Sequence, residues 1–131
     1  MDPATCDAIV DRLADATAVV EVAIGERTDV VAALAERGVG VMATDVRDRA
    51  MPAGVRFVRD DLTEPDASLY RGAEIVFAQN LPAELQRPAL KLTETVGAQF
   101  VFTTLGGEEP VVPVVRETLP GETLYRAISG P

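Results

Sequence analysis

The chain has 131 residues, the length of one domain of roughly 100–150 residues, and residues 1–131 are read as a single domain. Its 47% hydrophobic content excludes disorder over most of the chain, and no apolar run nears the about 20 residues that span a bilayer. The net charge is −9, from 21 acids against 12 bases. The bases are scattered, so no basic patch offsets the repulsion of a phosphate backbone, and direct nucleic-acid binding is not expected.

Eleven of the 12 bases are arginine; Lys91 is the one lysine. An acidic chain almost without lysine fits a salt-rich cytoplasm, where screening collapses to a few Å and repulsion between surface acids costs little. Asp2 and Pro3 stand where an export signal carries positive charge. The single cysteine, Cys6, has no internal disulfide partner. Both features fit a reducing, cytoplasmic setting. With no histidine in the chain, His-based triads and His-ligated metals are excluded, and one cysteine excludes a thiolate zinc site; no metal is expected.

In chain order, residues 5–16 pattern as a helix, with Ile9, Val10 and Leu13 on one face and Thr5 as N-cap. Ala18 to Ile24 is an apolar run broken only by Glu21, which suits a central parallel strand covered on both faces. Gly25 ends it. A second helix follows, capped by Thr28 or Asp29, with Val30, Val31 and Leu34 facing inward and Gly38 at its left-handed end. Val39 to Thr44 is the second strand, with Asp45 at its tip. Val55 to Val58 is the third, running into Arg59-Asp60-Asp61, and residues 64–71 form a turn or short helix.

Glu74 to Ala78 is the fourth strand, leading to Gln79-Asn80-Leu81-Pro82. A helix opens at Pro82; Pro88 inside it predicts a break near Gln86 and a restart. Gln99 to Thr104 is the fifth strand, followed by the acidic loop Leu105 to Glu109, read as a loop in preference to a lid. Val111 to Leu119 and Glu122 to Ile128 flank Pro120-Gly121 as a β-hairpin. Strands alternating with helices predict an α/β, Rossmann-like three-layer sandwich. Its sheet is mostly parallel, in the order 3-2-1-4-5, and ends in the antiparallel hairpin.

Ligands of such sheets bind beyond the strands' carboxyl ends, where the strand order reverses. The residues gathered there are Gly25, Asp45, Asp61 and Asn80. Gly25 permits a tight turn and close approach to a ligand. Three glycines spaced G-x-G-x-x-G mark a dinucleotide site; here Ala23 and Arg27 stand where glycines belong, and Glu26 opposes a pyrophosphate. That turns the reading from NAD, kept as the alternative, towards a ligand without phosphate at this turn. Asp45, 20 residues past Gly25, is placed for ribose hydroxyls. Asp60 or Asp61 is placed for an adenine amine. Asn80 either faces the reactive end of a ligand or caps the following helix. Glu21 either orients the turn or meets a ligand's ammonium.

Glu21-Val22-Ala23-Ile24-Gly25, Asp45, Asp60-Asp61 and Gln79-Asn80-Leu81-Pro82 resemble, in that order, the motifs of class I S-adenosylmethionine-dependent methyltransferases. The resemblance implies a seven-stranded sheet and S-adenosylmethionine or S-adenosylhomocysteine as ligand. It also implies a methionine part held by Glu21 and the Ala23–Gly25 turn, a ribose held by Asp45 and an adenine held by Asp61. More specifically, Val20 to Gly25, Ala43-Thr44-Asp45-Val46 and Leu105-Gly106-Gly107-Glu108 are similar to a small archaeal family that is uncharacterised and has no established activity. That likeness runs from about Ile9 to Ile128. Two other roles stay open on the residues alone: a scaffold subunit that has lost its ligand, with a protein partner or a second copy, and a nucleotide-sensing domain.

Overall fold

The computed structural model describes residues 1–128. Helix α1 spans Pro3–Leu13, strand β1 Ala18–Glu21, α2 Asp29–Glu36, β2 Gly40–Asp45 and β3 Val55–Arg59. A 3-10 turn at Ala67–Tyr70 precedes β4 (Ile75–Leu81), α3 (Ala83–Val96), β5 (Gln99–Thr104), β6 (Val114–Leu119) and β7 (Glu122–Ala127). The seven strands form one sheet in the order β3-β2-β1-β4-β5-β7-β6. The first five are parallel and β7 runs antiparallel to both β5 and β6. This is the predicted Rossmann-like sandwich with its C-terminal hairpin.

Side-chain alternation along the strands divides the core between two faces. Val19, Val41, Ala43, Phe77 and Val101 pack with Ile9, Leu13, Val31 and Leu34 from α1 and α2. Val20, Met42, Val76, Phe100 and Phe102 pack with Tyr70 of the 3-10 turn and with Ala89 and Leu92 of α3. Both faces of the central strands are covered, which is why they read as unbroken apolar runs.

Four expectations are corrected. Helix α1 starts earlier than residue 5. Pro3 takes the first helical position, and Asp2 caps it by accepting the Ala4 N–H at 2.9 Å. Thr5 is therefore not the cap; its buried hydroxyl donates to the Pro120 carbonyl at 2.6 Å and ties the hairpin turn to α1.

The ladder of β1 ends at Glu21 and not at Ile24, because Ala23 has a left-handed backbone, φ 51°. The amides of Val22 and Ile24 still bond to Phe77 and Thr44 on the two neighbouring strands. Third, β4 continues to Leu81 through a bulge at Asn80, φ 50°, so Pro82 is the N-cap of α3 and Asn80 is not. Fourth, α3 runs unbroken through Pro88. Burial of Gln86, Ala89, Leu92 and Thr93 on its inner face offsets the helix bond that proline removes.

Gly121 has φ 73°, and a Cβ added there would stand 2.7 Å from the Thr5 hydroxyl oxygen. Gly121→Ala is expected to lower stability by about 1–3 kcal/mol, through backbone strain and the displaced Thr5 hydrogen bond. Urea unfolding at fixed salt measures it.

Candidate functional site

The carboxyl ends of β1 to β5 meet at one edge of the sheet, and the carboxylates there have different surroundings. Asp45 is nearly buried. One of its oxygens accepts the Gly25 N–H at 2.8 Å and the other accepts the Arg47 N–H at 3.0 Å. The Asp45 carbonyl accepts the Asp60 N–H at 3.0 Å. Asp45 thus pins the turn after β1 to the end of β2, and β2 to the exit of β3. Gly25 has φ 63°, and nothing lies within 4 Å of where its Cβ would be, so the space above the turn is open. Arg49 lies 3.7 Å from both Asp45 and Glu26, bridging the two loops at ion-pair distance.

Glu21 is fully buried. It projects from β1 to the face that α1 and α2 cover, as Val19 does two residues earlier. One carboxylate oxygen accepts from the Gln79 side-chain amide at 3.1 Å, while Oε1 is buried without a partner. Burial pushes the carboxyl up to about 8, against the lowering pull of the Gln79 hydrogen bond and of Arg27. Gln79 lines a polar cavity of about 460 Å³, together with Thr5, Arg27, Asn80, Thr103 and Glu122. The cavity lies between the start of α1, the turn after β1, the ends of β4 and β5, and the hairpin turn. The Asn80 backbone N–H donates to the Thr103 hydroxyl at 2.8 Å, which fixes the bulge in β4.

Across the sheet edge, Ala23, Asp45, Val46, Asp61 and Leu62 line a hollow of about 100 Å³. It adjoins an open shelf of about 450 Å³ that shares Val46, Asp60 and Asp61 and adds Arg59. The two adjacent acids have separate tasks. Asp60 accepts from the buried Tyr70 hydroxyl at 2.6 Å, and that hydroxyl also lies 3.2 Å from the Thr44 hydroxyl. Burial, then the Asp60 contact, holds the Tyr70 phenol protonated well above its ordinary range. Asp61 is exposed; the Thr63 amide and hydroxyl bond one of its oxygens and hold its carboxyl below the usual value.

The structure brings Ala23, Asp45 and Asp61 to one hollow, and Asn80 to the cavity beside Glu21 and Gln79. Sequence reasoning missed Tyr70, Thr103 and Arg49, and it placed Gln79 in a motif without a role of its own. The signal for Gln79 was its position in β4, two residues past Phe77, whose backbone pairs with Glu21. Among the described residues, no cluster of three carboxylate or sulfur groups is placed to hold a metal, and no helix is long and apolar enough to cross a membrane.

Residues 4–127 match the uncharacterised protein family UPF0146. The chain belongs to that family. A UPF0146 protein of Halobacterium salinarum is 50% identical over 116 residues, which cover 88% of this chain and 90% of that one. One from Archaeoglobus fulgidus is 41% identical over 90 residues, 69% of each chain. These relatives are archaeal, as the sequence resemblance implied.

Among solved structures, this UPF0146 chain is similar to an RNA methyltransferase from Salinibacter ruber in complex with S-adenosyl-L-homocysteine. The TM-score is 0.62 at 22% identity, covering 91% of this chain and 88% of that one. It is also similar to a TehB-like SAM-dependent methyltransferase from Corynebacterium glutamicum, with a TM-score of 0.64 at 16% identity over 96% and 86% of the two chains. At these identities the likeness is one of fold.

Glu21 gives the protein a pH signature. A folded-state value near 8, above the ordinary value of 4.5, means that its contribution to stability is fully present below the ordinary value and is lost as pH rises through 8. Thermal unfolding is expected to show stability falling from pH 5 to pH 8.5. Glu21→Gln is expected to flatten that slope and be the more stable protein at the alkaline end.

Proposed function

We propose that this UPF0146 protein binds S-adenosylmethionine or S-adenosylhomocysteine across the strand tips. The observation that carries the reading is the fully buried Glu21 carboxylate with its unpartnered oxygen. Such an oxygen is costly in a folded protein unless something completes it, and an α-ammonium group supplies both charge and donors. In this reading the methionine part lies along Ala23 to Gly25 and reaches the polar cavity that Gln79 and Asn80 line. The ribose hydroxyls use the acceptor capacity that Asp45 retains, since an ionised carboxylate has about four lone-pair sites. The adenine lies against Val46, with its exocyclic amine towards Asp61.

Neighbours in fold support the ligand class. Besides the Salinibacter complex, a glycopeptide N-methyltransferase solved with S-adenosyl-L-methionine shares the fold at a TM-score of 0.57 and 15% identity. These proteins are described with S-adenosyl ligands and not with a dinucleotide, which agrees with the poor pyrophosphate cradle that Ala23, Glu26 and Arg27 make.

One observation favours a second reading, a scaffold that has kept the fold without the ligand. Both Asp45 oxygens already serve the protein's own amides.

Isothermal titration at high salt with S-adenosylmethionine, S-adenosylhomocysteine and NAD decides between them. Heat from either S-adenosyl compound and none from NAD is expected. No heat from any of the three sinks the first reading and leaves the scaffold. An ammonium beside Glu21 stabilises its ionised form, so binding at pH 7 is expected to release a proton. Affinity should rise by up to about tenfold per pH unit between pH 6 and 8. Glu21→Gln should weaken binding and abolish that pH dependence.

A further inference from the structure

A cavity on the face that α3 covers adjoins the strand-tip hollow, with which it shares Leu62. It measures about 520 Å³ and runs between the segment 62–67 and one flank of α3. Leu62, Pro65, Pro88 and Leu92 give it apolar walls, and Arg87 and Lys91 stand on its rim. A mostly apolar hollow of this size with a few convergent polar groups is the usual form of a small-molecule pocket.

Two features of α3 are locally unfavourable, Pro88 and the Arg87–Lys91 pair, and both meet at this cavity. Pro88 sits in a helix interior, where proline costs about 3 kcal/mol. Arg87 and Lys91 are like charges four residues apart on one helix, an arrangement that repels. Neither is in an ion pair among the described residues, although acids outnumber bases 21 to 12 in the chain. Lys91 is also the sole lysine. Local rules broken together at one place mark a site shaped for something other than stability.

We propose that this cavity binds a small molecule with an apolar body and a phosphate monoester head, the body against Leu62, Pro88 and Leu92 and the head between Arg87 and Lys91. Two unpaired cations match a head that carries close to two negative charges at neutral pH; a carboxylate would leave one cation unmatched. The proposal does not depend on the S-adenosyl reading, because Arg87 and Lys91 lie outside the strand-tip hollows.

The test is an amide-resolved NMR titration of the full chain with 1-naphthyl phosphate, 1-naphthoate and 1-naphthylmethanol. The phosphate is expected to shift the amides of residues 62–67 and 87–95 and to bind about tenfold tighter than the neutral alcohol, with the carboxylate between them. Arg87→Gln with Lys91→Gln, both exposed, should weaken the phosphate by at least tenfold and leave the alcohol and any S-adenosylhomocysteine binding unchanged. Carboxylate or alcohol binding as tight as the phosphate, shifts centred elsewhere, or no binding at all would overturn it.

Discussion

The candidate site depends on the Asp45 carboxylate reaching back to the Gly25 amide. The turn after β1 carries only one of the glycines that normally shape a nucleotide-binding loop, so its own backbone preferences do not hold it in place. Asp45 does so from the neighbouring strand and also bonds Arg47, while its carbonyl holds Asp60. A charge-assisted hydrogen bond in a nearly dry position is among the stronger polar contacts a fold can make. One residue therefore joins three strand ends, by its side chain to the turn after β1 and by its carbonyl to the exit of β3.

The acids around the junction differ in water access and partners, and that separates their chemistry. Glu21 is desolvated with one oxygen unpartnered, so it favours the protonated form. Asp60 is committed to the Tyr70 hydroxyl beneath the shelf. Asp61 stands in solvent, its charge favoured by the Thr63 amide and hydroxyl. Four carboxylates within one edge thus provide a buried group that favours its proton, a structural clamp, a half-buried partner of the Tyr70 hydroxyl and an exposed acceptor. The left-handed backbone of Ala23 belongs to the same arrangement. It takes the chain out of the β1 ladder in the conformation a glycine would adopt, and the Val22 and Ile24 amides stay bonded to the flanking strands.

Much of this was legible in advance. Alternating apolar runs and helical periodicities gave the sheet, its parallel part and the hairpin, because hydrophobic pattern and turn residues act locally and are written in consecutive positions. The residues at the strand tips followed from topology, since the carboxyl ends of parallel strands converge wherever the fold forms. Errors arose where a tertiary contact outweighed a local preference. Thr5 left the helix cap for Pro120, Asn80 went into a strand bulge fixed by Thr103 instead of capping α3, and Pro88 failed to break a helix whose inner face is buried.

By itself, then, the sequence determined the fold class, the strand-tip placement of the candidate residues, and the absence of any histidine that could hold a metal. Only the tertiary structure decided what each candidate residue contacts. Residues 20 to 60 positions apart, such as Gly25 with Asp45 and Glu21 with Gln79, become hydrogen-bond partners only when the sheet assembles. Whether a carboxylate is clamped, buried or exposed depends on the groups that the fold brings around it, and those leave no periodic trace along the chain.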